Sequence, residues 1–182
     1  MPGFKKSNHM KKIMLIVIII TTMTACKNEV RYTQNSPEID TYKKVIQDYE
    51  IANWESLVTH YSDTAKILNN VTEKNAQSVA QLIAQNKEDA AIFSSWKYVP
   101  EESEYEMVVT DKKETWVNFW GLWQGRLTAN NQLYEIPVHI TSQFINGKIV
   151  KEVGYWDISA IVLDLQQINK ATTTEVLLET KE

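Results

Sequence analysis

The chain has 182 residues, with 19 Lys and Arg against 23 Asp and Glu, a formal charge of −4. That length suits one domain able to bury a core, and 43% hydrophobic with 23% charged residues is the balance of a globular chain, not a disordered one. The acidic balance, with no basic block in the body, argues against a nucleic-acid partner held through phosphates. A single Cys excludes a disulfide framework.

The first 25 residues read as an address. Lys5, Lys6, Lys11 and Lys12 precede an apolar run, Ile13 to Ile20, and small residues lead to Ala25 and Cys26. A basic start, a short apolar stretch and a small-residue break mark a secretory signal peptide. The run is too short to span a hydrocarbon core of ~30 Å as a helix. Met23-Thr24-Ala25-Cys26 resembles a bacterial lipobox, which implies cleavage before Cys26 and lipidation of that residue. Met23 departs from the commoner Leu. Cleavage would remove four lysines and no acids, leaving 15 basic against 23 acidic residues, or −8. Such a domain would be held at a membrane by lipid and a tether. Lys27 is not the Asp of the usual inner-membrane retention signal, so the resemblance implies the outer membrane.

Residues 26–37 are polar and unpatterned and read as the tether. Ser36-Pro37 is a helix start, the Ser capping and the Pro in the first turn. Ile39, Tyr42, Val45, Ile46 and Tyr49 then recur at helical spacing. Asn53 can cap a short second helix through Trp54, Leu57 and Val58. Ala65–Asn69 is expected to form a short first strand and residues 75–93 a further helix. From residue 100 the period becomes alternating. Tyr105–Thr110, Thr115–Leu127, Leu133–Phe144 and Lys148–Ile158 read as four strands, with Asn146-Gly147 the clearest hairpin signal. Ile161, Leu163, Leu165 and Ile168 form one last apolar-periodic stretch, and residues 169–182 read as a polar tail. Helices first and an antiparallel meander afterwards mean an α+β fold, with helices packed on a curved sheet.

Three segments carry a family resemblance: Asn53-Trp-Glu-Ser-Leu-Val-Thr-His-Tyr-Ser-Asp-Thr-Ala65, Phe144-Ile-Asn-Gly-Lys-Ile149 and Val153-Gly-Tyr-Trp-Asp157. Together with the order of elements they resemble the NTF2-like superfamily, in particular its SnoaL-like branch. The resemblance covers roughly residues 39–161, within a domain placed at 38–168. It implies a cone-shaped α+β barrel and a homodimer formed through the outer sheet face. The superfamily holds isomerases, cyclases and hydrolases as well as binding modules, so the fold does not settle the function.

The positions that would carry ketosteroid-isomerase chemistry fall near Val45, at Asn69 and near Ile140, where a phenol and two carboxyls are needed. That chemistry is not expected here. By resemblance to SnoaL-like cyclases, Asp157 is the one candidate general acid/base, and an enclosed apolar setting would raise its pKa. Its place before Ile158-Ser159 equally suits a cap for the next turn. Trp156 resembles a pocket-lining aromatic, and Trp120, Tyr155 and Asn69 complete the pocket candidates. Trp116, Asn118, Trp120 and Leu122 should share one sheet face, with Phe119 and Trp123 on the other. Gly121 and Gly125 are expected to mark a bulge. His139, Thr141 and Gln143 should face outward, and His60 should be a surface or packing residue. No cofactor motif is present, and two isolated histidines give no metal site. The expected function is non-catalytic: binding a small apolar or aromatic molecule, or a protein partner. The alternatives are a SnoaL-like enzyme working through Asp157 and a glycan-binding module using exposed tryptophans.

Overall fold

The computed structural model describes residues 30–179. The expected signal peptide, Cys26 and the start of the tether lie outside the described residues. The rest of the expected tether is ordered against the sheet. Tyr32–Thr33 form a short edge strand, β1, and Arg31 pairs with Asp111 at 2.6 Å.

Helix α1 runs Pro37–Glu50. The Ser36 hydroxyl accepts the Ile39 amide, and Pro37 sits where no amide is needed. The helix buries Ile39, Tyr42, Val45 and Ile46 along one face. Helix α2, Trp54–Val58, starts with Asn53 accepting the Ser56 amide. Strand β2 covers Tyr61–Asn69, four residues longer at its start than the alternation suggested. Helix α3 is Val79–Ile92, opened by a reciprocal Ser78–Gln81 capping box. Phe93–Tyr98 then form β3, a strand the sequence reading lacks. Its pairing slips between Phe93 and Ser95, which destroys the two-residue period. Strands β4 (Glu104–Val109), β5 (Thr115–Leu127), β6 (Leu133–Ile145) and β7 (Lys148–Tyr155) lie close to their expected bounds. Asn146 and Gly147 both take positive φ, 52° and 74°, as a two-residue hairpin of the expected type requires. Helix α4 spans Ser159–Glu179 and so continues through most of the expected polar tail.

The sheet is curved and unclosed, in the order β1-β4-β5-β6-β7-β2. Strands β4 and β3 lie end to end along one edge of β5, which is long enough to pair with both. The sheet is antiparallel except for β2, which runs parallel to β7. Its inner face carries Val117, Phe119, Trp123 and Leu127 from β5 and Ile136, Val138, Ile140 and Phe144 from β6, all buried. Tyr42 of α1 packs its ring 5.8 Å from that of Phe119, and Ile161 of α4 joins the same core. Each such buried side chain contributes roughly 1.5–3 kcal/mol relative to exposure. The architecture is the expected α+β arrangement of helices on one face of a curved sheet.

Gly121 and Gly125 do not mark a bulge, since β5 pairs with β6 without interruption from Thr115 to Arg126. They make room for rings. A Cβ on Gly121 would lie 2.4 Å from Cζ of Phe119, and one on Gly125 only 2.0 Å from Cη2 of Trp123. Each aromatic lies back over the glycine two residues further along the inner face. Gly125→Ala should therefore destabilise the fold by about 1–3 kcal/mol through overpacking, measured by urea unfolding. An unchanged midpoint would show that the Trp123 ring is free to move.

Candidate functional site

A cavity of about 340 Å³ lies between the inner sheet face and helices α1, α3 and α4. Its volume is in the range of small-molecule sites. Tyr42 and Tyr49 enter from α1, Leu82 from α3, and Ile161 and Leu165 from α4. Tyr98, Trp123 and Trp156 add rings from the sheet side and its exit. Trp123 donates its indole N–H to the Tyr49 hydroxyl at 3.1 Å, which fixes both rings.

The polar part of the wall is built around Glu152, which is only 3% exposed. Tyr61 donates its phenol to Glu152 Oε2 at 2.7 Å, and Asn69 donates its amide N–H to Oε1 at 3.0 Å. Ser142, fully buried, donates to Oε2 at 3.4 Å. These donors come from β2 and β6, the two neighbours of β7. Burial pushes the Glu152 carboxyl above its ordinary 4.5, while the bonds from Asn69, Tyr61 and Ser142 pull the other way. Burial and then the charge of Glu152 push the phenols of Tyr42 and Tyr61 well above 10. Both remain neutral at physiological pH. Asn69 keeps its Oδ1 buried and without a hydrogen-bond partner.

Glu152 faces inward because of a slip in the ladder. Gln143 pairs with Lys151 but Phe144 pairs with Ile149, leaving Val150 as an extra residue. That β-bulge reverses the phase of the side chains beyond it. Ser142 and Glu152 thus become direct cross-strand neighbours on the inner face. Gly154, two residues on, clears space for the site. A Cβ there would meet the Trp156 ring at 2.5 Å and Asn69 Oδ1 at 2.6 Å.

The structure separates the residues singled out from the sequence. Asn69 and Trp156 line the cavity. Asp157 does not: it is exposed, and Oδ1 accepts the Ser159 amide at 2.8 Å and the Ser159 hydroxyl, capping α4. Those two bonds hold its carboxyl below its ordinary value, the reverse of what a buried general acid needs. Trp120 and Tyr155 lie on the outer face, 40% and 61% exposed. Trp120 stacks with His139, their centroids 4.9 Å apart. His60 pairs with Asp48 at 2.8 Å, both largely buried, and ties the start of β2 to α1. Glu152 and Tyr61 are the polar cavity residues that sequence reasoning missed. The adjacent apolar pair Ile149-Val150, which breaks strict alternation, is the signal that could have exposed the reversed phase.

No protein-family model matches the chain, and no curated protein matches it. Among solved structures it is similar in fold to a candidate polyketide cyclase from Xanthomonas campestris, at TM-score 0.58 and 10% identity, covering 72% of this chain and 98% of that one. A candidate SnoaL-like polyketide cyclase from Shewanella denitrificans superposes at 0.54 with 15% identity, covering 73% and 99%. An NTF2-like protein of unknown function from Burkholderia pseudomallei gives 0.55 at 10% identity, covering 70% and 96%. The fold is therefore that of the SnoaL-like and NTF2-like proteins. At these identities the likeness extends to the fold alone.

The two carboxyls should respond oppositely to substitution. Because burial raises the folded-state value of Glu152, its contribution is most favourable at low pH and is lost as pH rises through that raised value. Glu152→Gln keeps the shape and removes the titration. Its stability relative to the parent should rise from about pH 4.5 upward, the ordinary carboxyl value, in urea unfolding followed across pH 4–8. Parallel curves would contradict the burial argument. Asp157→Ala should lower the Tm at neutral pH and leave ligand affinity unchanged; a loss of affinity without a loss of stability would return Asp157 to the site.

Proposed function

We propose that the mature chain is a lipid-anchored protein of the cell envelope whose domain binds a small, largely apolar ring compound in the cone without transforming it. The observation that carries this reading is the cavity itself. Aliphatic and aromatic side chains make most of its wall, with polar groups at Glu152 and Asn69 and, on α3, at Gln85, Asn86 and Asp89, so a ligand would gain apolar contact over most of its surface and orientation from a few polar points. The anchoring part rests on Cys26 and the basic, apolar segment before it, and the outer membrane is the expected destination. Trp120 on the exposed outer face supports a homodimer formed through the sheet.

A second reading keeps the same cavity and makes the protein an isomerase, cyclase or hydrolase. The observation favouring it is the buried carboxyl of Glu152 on the cavity wall, whose pKa burial pushes upward, the direction a general acid needs. In that case Glu152, and not Asp157, would move the proton. The two readings part on whether the bound molecule is recovered unchanged.

Titration with the neutral fluorophore N-phenyl-1-naphthylamine should show saturable binding, one per domain. Gly154→Ala, which drives Trp156 and Asn69 from their places, should weaken it at least several-fold, and Trp120→Glu should leave it intact. Absence of saturable binding would remove the ligand reading. Cys26→Ala should shift the protein from the membrane to the soluble fraction, and the released protein should sediment as a dimer that Trp120→Glu splits. Retention in the membrane would contradict the lipid anchor, and a monomer would contradict the dimer.

A further inference from the structure

The walls of the cavity have a one-sided electrostatic character. The charged residues lining it are Glu152 and Asp89, both acidic, and no Lys, Arg or His is among the described lining residues. Glu152 is deeply buried, and the groups that hold it (Tyr61, Asn69 and Ser142) are neutral. Its carboxyl therefore has no cationic partner among the described lining residues. Aromatic side chains line the same cavity, Tyr42, Tyr98 and Trp156 among them. Asn69 Oδ1 is a buried acceptor with nothing to accept from, and leaving such an atom unsatisfied is costly.

These observations converge on the chemistry of the missing group. We propose that the ligand of this cavity is an apolar or aromatic body carrying a protonated amine, with the ammonium drawn to Glu152 and donating to Asn69 Oδ1. The inference rests on the ligand-binding reading above and makes it specific. A protonated amine supplies both the N–H donors that Asn69 needs and the positive charge that Glu152 lacks. An alcohol of the same shape would supply one donor and no charge. A carboxylate would meet a second buried negative charge and further acceptors. The apolar remainder would lie against Tyr42, Tyr98 and Trp156. Binding of the cation also offsets the burial penalty on ionised Glu152, so loss of the carboxylate should cost the amine more than the neutral analogue.

The test is calorimetric titration of the full chain near pH 7.5 with three ligands sharing one ring system: 1-naphthylmethylamine, 1-naphthylmethanol and 1-naphthoate. The amine should bind at least tenfold more tightly than the alcohol, and the naphthoate should not bind measurably. In Glu152→Gln the amine should lose its advantage, the ratio of amine to alcohol affinity falling to about one. The ranking in the parent protein decides the matter even if the variant does not fold. Equal affinities for amine and alcohol, or a preference for naphthoate, would overturn the cation inference and leave the cavity as a ligand site. If none of the three binds and N-phenyl-1-naphthylamine also fails, the ligand reading falls together with the inference.

Discussion

Burying one carboxyl inside an aromatic cone is the constraint around which this domain is organised. An isolated carboxylate in an apolar interior is costly, and the cost falls only when donors are held in fixed positions around it. Glu152 has three such donors on the two strands that flank its own. The parallel seam between β2 and β7 therefore does more than close one side of the sheet. It brings Tyr61 and Asn69 beside a residue more than eighty positions away. The Val150 bulge sets the phase of β7 and Gly154 the clearance, so that backbone irregularities serve the polar group while the helices supply its apolar cover.

The cavity persists because its walls resist collapse. Several rings in them are fixed: Trp123 is bonded to Tyr49, and its ring stands 5.1 Å from that of Phe93, edge to face. Rings of this kind interlock at set angles instead of flowing into a gap. Gly121 and Gly125 let Phe119 and Trp123 lie flat along the inner face, which leaves depth above them for a small molecule. The outer face differs. There Trp120, His139 and Tyr155 are cross-strand neighbours that form a separate surface.

Much of this was legible in the sequence where a local rule and the global fold agree. Ser36-Pro37, Asn53 and Asn146-Gly147 each fixed an element boundary through backbone chemistry, and alternation along β5 and β6 sorted inner from outer residues. The reading failed where the chain departs from a regular period. The slip at Phe93–Ser95 concealed β3, and the extra residue at Val150 placed Glu152 on the face opposite to the one alternation predicts. Asp157 drew attention because it matches a motif, yet its nearest neighbours in sequence, above all Ser159, satisfy it at the surface. Asn69 and Trp156 do line the cavity, but the carboxyl that Asn69 bonds was not foreseen, because the partnership of Glu152 with Tyr61 and Asn69 exists only once β2 lies beside β7.

The most direct test is a crystal structure of the protein purified from the cells that make it, with no compound added. The account predicts an open cavity between the sheet and α1, α3 and α4, with Glu152 held by Tyr61 and Asn69 and density for a small molecule beside it. A cone filled by side chains, or Glu152 turned out to solvent, would contradict it and leave an interaction module with a solid core.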